Sequence, residues 1–221
     1  MNKKILLICL GIFSIFALDI SHAKEPMNLD LTKAFLVKYH DSGEYQKDQA
    51  RVINKAMQYL KTRLQNRKQH PKKWAIVLDI DETALSNYSD MRHLNFGGTL
   101  RQIMDAEANG TDPAITSTLA LYRYAKANDI AVFFVTGRTG PYRAVTEKNL
   151  LNAGYQNWDG LSFKEENYKE KSAAPYKIHA RSLIEKQGYE IVLNMGDQQS
   201  DLTGGHADKT FKLPNPYYFI P

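Results

Sequence analysis

Asp79 and Asp81 stand one residue apart at the end of an apolar run, Trp74 to Leu78, in the stretch WAIVLDIDET. A run of that length reads as a buried strand. Carboxylates placed just past the end of a buried strand are costly unless something compensates them. Two further apolar runs end in polar groups. Ile130 to Val135 leads into Thr136-Gly137-Arg138, and Ile191 to Met195 leads into GDQQSD, which carries Asp197 and Asp201. Four carboxylates drawn to one place repel one another unless a cation sits among them. An all-oxygen donor set suits Mg²⁺. No histidines or cysteines have the spacing that would favour a softer metal. A cation, a lysine, an arginine and a threonine hydroxyl beside loop N–H groups would cradle a phosphoryl group. One aspartate can then attack phosphorus and form an aspartyl-phosphate. A second carboxyl can protonate the leaving oxygen and later activate water, helped by the crowding, which raises a carboxyl pKa.

The elements that must position these residues follow from the pattern of the chain. Met27 to Arg67 reads as helical, with Asp30 as the cap of a first short helix, a break at Gly43, and a longer helix carrying Val52, Ile53, Ala56, Met57, Leu60 and Leu64 on one face. Both helices are expected to cover part of the core. Residues 84–110 are too long for a simple connection and too short for a domain, and read as a small insertion with a helix over Thr99 to Ala108. Asp112-Pro113 offers an N-cap and a first-turn proline for the next helix. Pro141 and Pro175 open two more helices, ended near Gly154 and Gly188, and short strands are expected at Trp158 to Phe163 and Thr210 to Leu213. Strands alternating with helices predict an α/β fold, an open parallel sheet wrapped on both faces. Such sheets bind ligands in the crevice at the carboxyl ends of the strands.

Length and composition bound the reading. The 221 residues are enough for one domain with a sizeable core. Residues 1–23 read as a cleavable signal peptide: Lys3 and Lys4, an apolar Ile5 to Leu18, then Ser21-His22-Ala23. The single cysteine, Cys9, lies inside it, so the remaining chain, 24–221, is expected to be exported, periplasmic or secreted, without disulfides and without a stable membrane anchor. The formal charge of +5 falls to +4 without Lys3, Lys4 and Asp19, a mild excess suited to anionic substrates. Nucleic acid is not an expected partner, because the basic stretch Arg67 to Lys73 holds no interleaved aromatics.

DIDET, TGR, a helical lysine and GDQQSD, in this order, resemble the four motifs of the haloacid dehalogenase (HAD) superfamily. DIDET with GDQQSDL and the ending FKLPNPYYFIP resembles its acid phosphatase subfamily IIIB, which includes bacterial secreted acid phosphatases (class B/C-like) and plant vegetative storage proteins. The resemblance covers residues 28–221. It implies a HAD-like Rossmannoid sheet, a small helical cap insertion at 84–110 and an N-terminal helical extension. It implies Asp79 as nucleophile and Mg²⁺ ligand, and Asp81 as general acid/base with its backbone carbonyl on the metal. Asp197 and Asp201 would complete the metal site, and Thr136, Gly137, Arg138 and Lys177 would hold the phosphate. Lys177 is preferred to Lys171 because Tyr176-Lys177 with Arg181 matches the family's YKxxxR pattern.

The expected activity is hydrolysis of small phosphate monoesters, nucleotides among them. A phosphotransferase using the same residues and a non-enzymatic storage or binding protein are the alternatives; the latter can lack the nucleophile, which is present here. Arg138 is equally a candidate for pairing with a nearby carboxylate, and Asp201 for capping a turn. Glu82 reads as a structural hydrogen-bonding residue. Tyr88 and Phe96 are candidates for stacking on an aromatic leaving group and, more so, for packing. His206 lies just past the metal loop. The tail aromatics Tyr217, Tyr218 and Phe219 could pack on the core or form a contact in a homo-oligomer.

Overall fold

Strand β1 (Lys73–Leu78) is apolar on both sides, and its two faces are buried by different helices. Trp74, Ile76 and Leu78 point into a cluster with Ile53, Ala56 and Leu60 of helix α2 (Glu44–Gln65) and with Leu121, Tyr122 and Ala125 of helix α5 (Thr116–Ala127). Ala75 and Val77 point the other way, onto Ala180 and Ile184 of helix α7 (Ala174–Lys186). The period-2 alternation of a strand thus builds two core layers, one on each face of the sheet. Residues 25–67 and 72–221 are described by the computed structural model. The signal peptide expected at 1–23 lies outside them, as does the middle of the basic connection at 67–73.

The sheet has five parallel strands in the order β3-β2-β1-β4-β5, with β2 (Ala131–Thr139), β3 (Gly160–Lys164), β4 (Tyr189–Gly196) and β5 (Thr210–Lys212). The chain runs outward from β1 through β2 to β3, then crosses back to β4 on the other side of β1. That reversal opens a crevice at the carboxyl ends of β1 and β4. The expected parallel α/β sheet with helices on both faces is what forms.

Some local expectations are revised. Helix α1 (Leu29–Asp41) is capped by Asn28, whose side chain accepts from the amides of Asp30 and Leu31; Asp30 sits inside the first turn, where its charge still suits the helix dipole. No residue of α1 is fully buried, and Leu31 and Phe35 are exposed; the helix covers the core only through its last turns, where Tyr39 packs on the Tyr45, Tyr88, Met91 and Tyr217 cluster. The insertion carries two helices, α3 (Tyr88–His93) and α4 (Leu100–Glu107), the second closed by a reciprocal capping box between Thr99 and Gln102. Asp112-Pro113 does not cap α5. That helix starts at Thr116, because Asn149 of helix α6 (Arg143–Asn152) holds the Asp112 backbone on both sides, donating to its carbonyl at 2.7 Å and accepting from its amide at 3.1 Å. A 3-10 turn, Gly140–Tyr142, precedes α6.

Candidate active site

Asp79 is the first residue past β1, and its amide continues the sheet by donating to Met195 O at 3.0 Å. The strand therefore fixes the backbone from which the carboxylate projects. Past the end of β4, Asp197 and Asp201 come to the same spot, Asp201 from the one-turn helix α8 (Gln199–Leu202). Carboxylate oxygens of Asp79, Asp197 and Asp201 lie within 4.8 Å of one another, and all three residues are buried. Lys177 enters from α7, between β3 and β4 in the chain. Its Nζ donates to Asp79 Oδ1 at 2.7 Å and to Asp201 Oδ1.

Charge in this cluster does not balance. Three buried carboxylates face one ammonium. Burial, then the attraction of Asp201 and Asp79, decides Lys177: the two acids prevail and push its pKa up, so it stays charged. Burial raises Asp79 well above the usual carboxylate range against the pull of Lys177, with Asp201 and Asp197 adding to the rise. Burial and Asp201 push Asp197 up to about 6. The group as it stands must hold protons or a cation, and three hard oxygen donors fit a divalent ion of the Mg²⁺ type.

Neighbouring side chains brace the metal loop. Asn215 and Gln198 each donate to Asp197 Oδ2, at 2.7 and 2.6 Å. Gln198's own amide donates to Asp201 Oδ2 at 2.7 Å, and Lys212 donates to Asp197's carbonyl. Arg181 fastens the following turn through the carbonyls of Asp201 (2.6 Å), Thr203 and Gly205 (3.1 Å). Gly196 leaves the space that Asp201's carboxyl fills.

Asp81 stands apart from the three-acid cluster. Its carboxylate accepts from Arg138 Nη2 at 2.7 Å, Arg138 Nε at 3.1 Å and Asn87 Nδ2 at 2.8 Å. Burial alone would raise its pKa; Arg138, with Asn87, outweighs that and holds it below the ordinary value. Thr136 is buried, and its hydroxyl accepts from the Arg138 amide at 3.0 Å. Gly137 is half-buried, with open space where a side chain would stand. Arg138, by contrast, turns inward toward carboxylates, with Glu107 and Asp112 behind it at 3.7 and 3.5 Å. Lys171 is exposed in the loop before α7.

Sequence reasoning missed Asn87, Glu107, Asp112 and Asn215. Asn87 and Asn215 read as loop residues and Asp112 as a helix cap; Glu107 alone carries a signal, its helical spacing from Ile103 and Met104. Glu82 is a structural hydrogen-bonding residue as expected: fully buried, it accepts from the Asn87 amide at 2.6 Å and from Tyr45 Oη at 2.8 Å. Tyr88 and Tyr217 are buried together with Tyr45 and Met91, and Phe96 packs against that cluster. Phe219 is exposed. His206 pairs with Glu185 at 2.6 Å.

Comparison with known proteins agrees with this geometry. The family model "HAD superfamily, subfamily IIIB (Acid phosphatase)" matches residues 21–221. The chain is 40% identical to Acid phosphatase 1 of Solanum lycopersicum over 153 residues, 65% of this chain and 58% of that protein. It thus spans less than two thirds of that relative's length. It is 36% identical to the Stem 28 kDa glycoprotein of Glycine max over 189 residues, 83% of this chain and 73% of that one. Vegetative storage protein 1 of Arabidopsis thaliana is 30% identical over 195 residues, 86% and 70% of the two chains. Among solved structures, the class C acid phosphatase from Bacillus anthracis shares the fold, with a TM-score of 0.71 over 86% of both chains at 23% identity. With its family model matched along nearly its whole length, the chain belongs to the HAD superfamily, subfamily IIIB, the acid phosphatase family.

Proposed function

We propose that the protein is an exported, Mg²⁺-dependent phosphomonoesterase acting on small phosphate monoesters, nucleotides included, with residues 24–221 as the working domain. The observation that carries this reading is Asp79, a buried carboxylate at the crevice of a parallel sheet, held by Lys177 in a cluster with Asp197 and Asp201. Asp79, Asp197 and Asp201 would hold the metal, with the backbone carbonyl of Asp81 added by the family pattern. When bound, Mg²⁺ offsets the negative charge that the phosphoryl group brings to these acids.

Asp79 attacks phosphorus: an O–P bond forms to its carboxylate as the bond to the leaving oxygen breaks. Asp81, held below its ordinary pKa by Arg138 in the free protein, takes up a proton from solvent as the phosphoryl charge enters beside it, and delivers that proton to the leaving oxygen. The product alcohol departs and Asp79 is left as an aspartyl-phosphate. Water then attacks phosphorus, Asp81 takes its proton, and phosphate leaves with Asp79 regenerated. Lys177, the Thr136 hydroxyl and the Gly137 amide hold the phosphoryl oxygens; the open space at Gly137 favours a close approach.

A non-enzymatic storage role has one point in its favour, that relatives of this chain bear the names of storage proteins and stem glycoproteins. Retention of Asp79 argues for catalysis. The test is phosphate release from p-nitrophenyl phosphate by residues 24–221, with Mg²⁺ and with chelator, beside Asp79→Asn. Turnover that requires metal and falls by about 10⁴-fold in the variant supports the enzyme. A folded, metal-binding protein with no turnover supports storage. Added alcohol acceptors separate hydrolysis from phosphotransfer.

A further inference from the structure

Arg138 is turned toward protein oxygens and away from solvent. Its side chain is 2% exposed, and each of its three nitrogens faces a protein oxygen. Nη2 and Nε both address the Asp81 carboxylate, at 2.7 and 3.1 Å to Oδ1, and Nε also reaches Oδ2 at 3.3 Å. Nη1 donates to Thr146 Oγ1 at 3.3 Å. Behind the guanidinium lie Glu107 of α4 at 3.7 Å and Asp112 at 3.5 Å, both buried. Arg138 stands two residues after Thr136 on β2, so the strand's alternation brings both side chains to Asp81, Thr136 Oγ1 lying 3.5 Å from Asp81 Oδ2.

Two planar groups joined through paired N–H donors fix each other's orientation, not only their distance. Asn87 adds a second restraint from the other side, donating to Asp81 Oδ1 at 2.8 Å and to Glu107 Oε1 at 3.4 Å. Glu107 therefore touches both groups that hold Asp81. The insertion between β1 and α5 in this way reaches the carboxyl group of the proposed proton donor.

We infer that Arg138 is a positioning residue: with Asn87, and anchored by Glu107 and Asp112, it aims the Asp81 carboxyl at the leaving oxygen and does not bind the phosphoryl group. This rests on the phosphatase reading above. It separates two roles that a mutation at Arg138 would otherwise confuse, because only one of them depends on the leaving group. A p-nitrophenolate departs without help from a proton, whereas an alkoxide must be protonated as it leaves.

The experiment compares kcat/KM for p-nitrophenyl phosphate and for glycerol 2-phosphate in wild type, Arg138→Gln and Asn87→Ala, with the inhibition constant of inorganic phosphate and the melting temperature of each. Arg138→Gln should lose about 100-fold with the alkyl ester and less than about 5-fold with the aryl ester, with phosphate inhibition unchanged. Asn87→Ala should show the same bias at smaller size, and it carries the test if Arg138→Gln melts below the assay temperature. Equal losses with both esters, together with weaker phosphate inhibition, would make Arg138 a phosphate ligand and overturn the assignment. A wild type that hydrolyses neither ester would remove the phosphatase reading itself, and this assignment with it.

Discussion

Glu82 offers the most direct test of how the buried polar layer is balanced. Its carboxyl is fully buried, next to Asp81 in sequence, and burial, with Asp197 and Asp81 adding to it, pushes its pKa up to about 8 from 4.5. The hydrogen bonds fit a neutral acid. Tyr45's hydroxyl, which has one proton, faces both Glu82 Oε2 at 2.8 Å and the Pro214 carbonyl at 3.2 Å. A protonated Glu82 can donate to Tyr45, leaving Tyr45 free to donate to Pro214, while Oε1 accepts from the Asn87 amide at 2.6 Å. Every member is then satisfied. A carboxyl whose pKa is higher in the folded chain than in the unfolded one contributes stability that is complete below the unfolded value and lost as pH rises to the folded one. The window is therefore pH 4.5 to about 8. At about 1.4 kcal/mol per pH unit the loss comes to about 5 kcal/mol as an upper bound. Glu82→Gln keeps the shape and can donate to Tyr45 without titrating. In urea unfolding with chelator present, variant and wild type should be close at pH 4.5. The variant should gain steadily toward pH 8, where its melting temperature should be higher by on the order of 10 °C. Parallel pH profiles for the two proteins would refute the reasoning.

Lys177→Met removes the ammonium that bonds the carboxylates of Asp79 and Asp201, and in chelator should cost about 3 kcal/mol of stability. Mg²⁺ should then raise its melting temperature by more than it raises that of wild type, and an equal rise in both would count against a shared role for lysine and metal in charge balance. Gly196→Ala places a methyl group on the Asp201 carboxyl. Calorimetric titration should show Mg²⁺ binding about 10- to 100-fold more weakly in a chain that remains folded, and unaltered binding would show that Asp201 can move without consequence.

The parts of this molecule that were legible in the sequence share a physical reason. Buried strands flanked by helices must be apolar throughout, so Trp74 to Leu78, Ile130 to Val135 and Ile191 to Met195 announce themselves, and the acids that end the first and last of them stand out against that background. Long or short polar side chains at the borders carry no such signature. Arg138 follows Thr136-Gly137 and could reach either a phosphate or a carboxylate; Asp81, Glu107 and Asp112, which meet it, come from segments that one sequence does not show to be neighbours. Asp112 before a proline has the form of a helix cap, and only the grip of Asn149, 37 residues later, draws it to Arg138 instead. Glu107 stands at helical spacing from Ile103 and Met104, so the spacing puts it on the inward face of α4, but it does not name Arg138 as the group that it meets there. Helix α1 has an apolar face by spacing, yet α2 and α5 fill the main core layer, and α1 reaches only the smaller Tyr45, Tyr88, Met91 and Tyr217 cluster through Tyr39.

The bracing of Asp197 has a consequence for the order in which the molecule comes into being. A chain made from its amino end delivers Asp79 early. The partners that steady the opposite acid come last: Asn215 donates to Asp197, the Ile220 amide reaches Gln198 Oε1 at 3.1 Å, and Tyr45 meets Pro214 across 169 residues. A nascent chain therefore carries Asp79 for most of its synthesis with no finished partner for it. The braced acid cluster is completed late, when the segment from Pro214 onward docks. Changes in that short segment should behave as active-site changes although they lie farthest along the chain from Asp79.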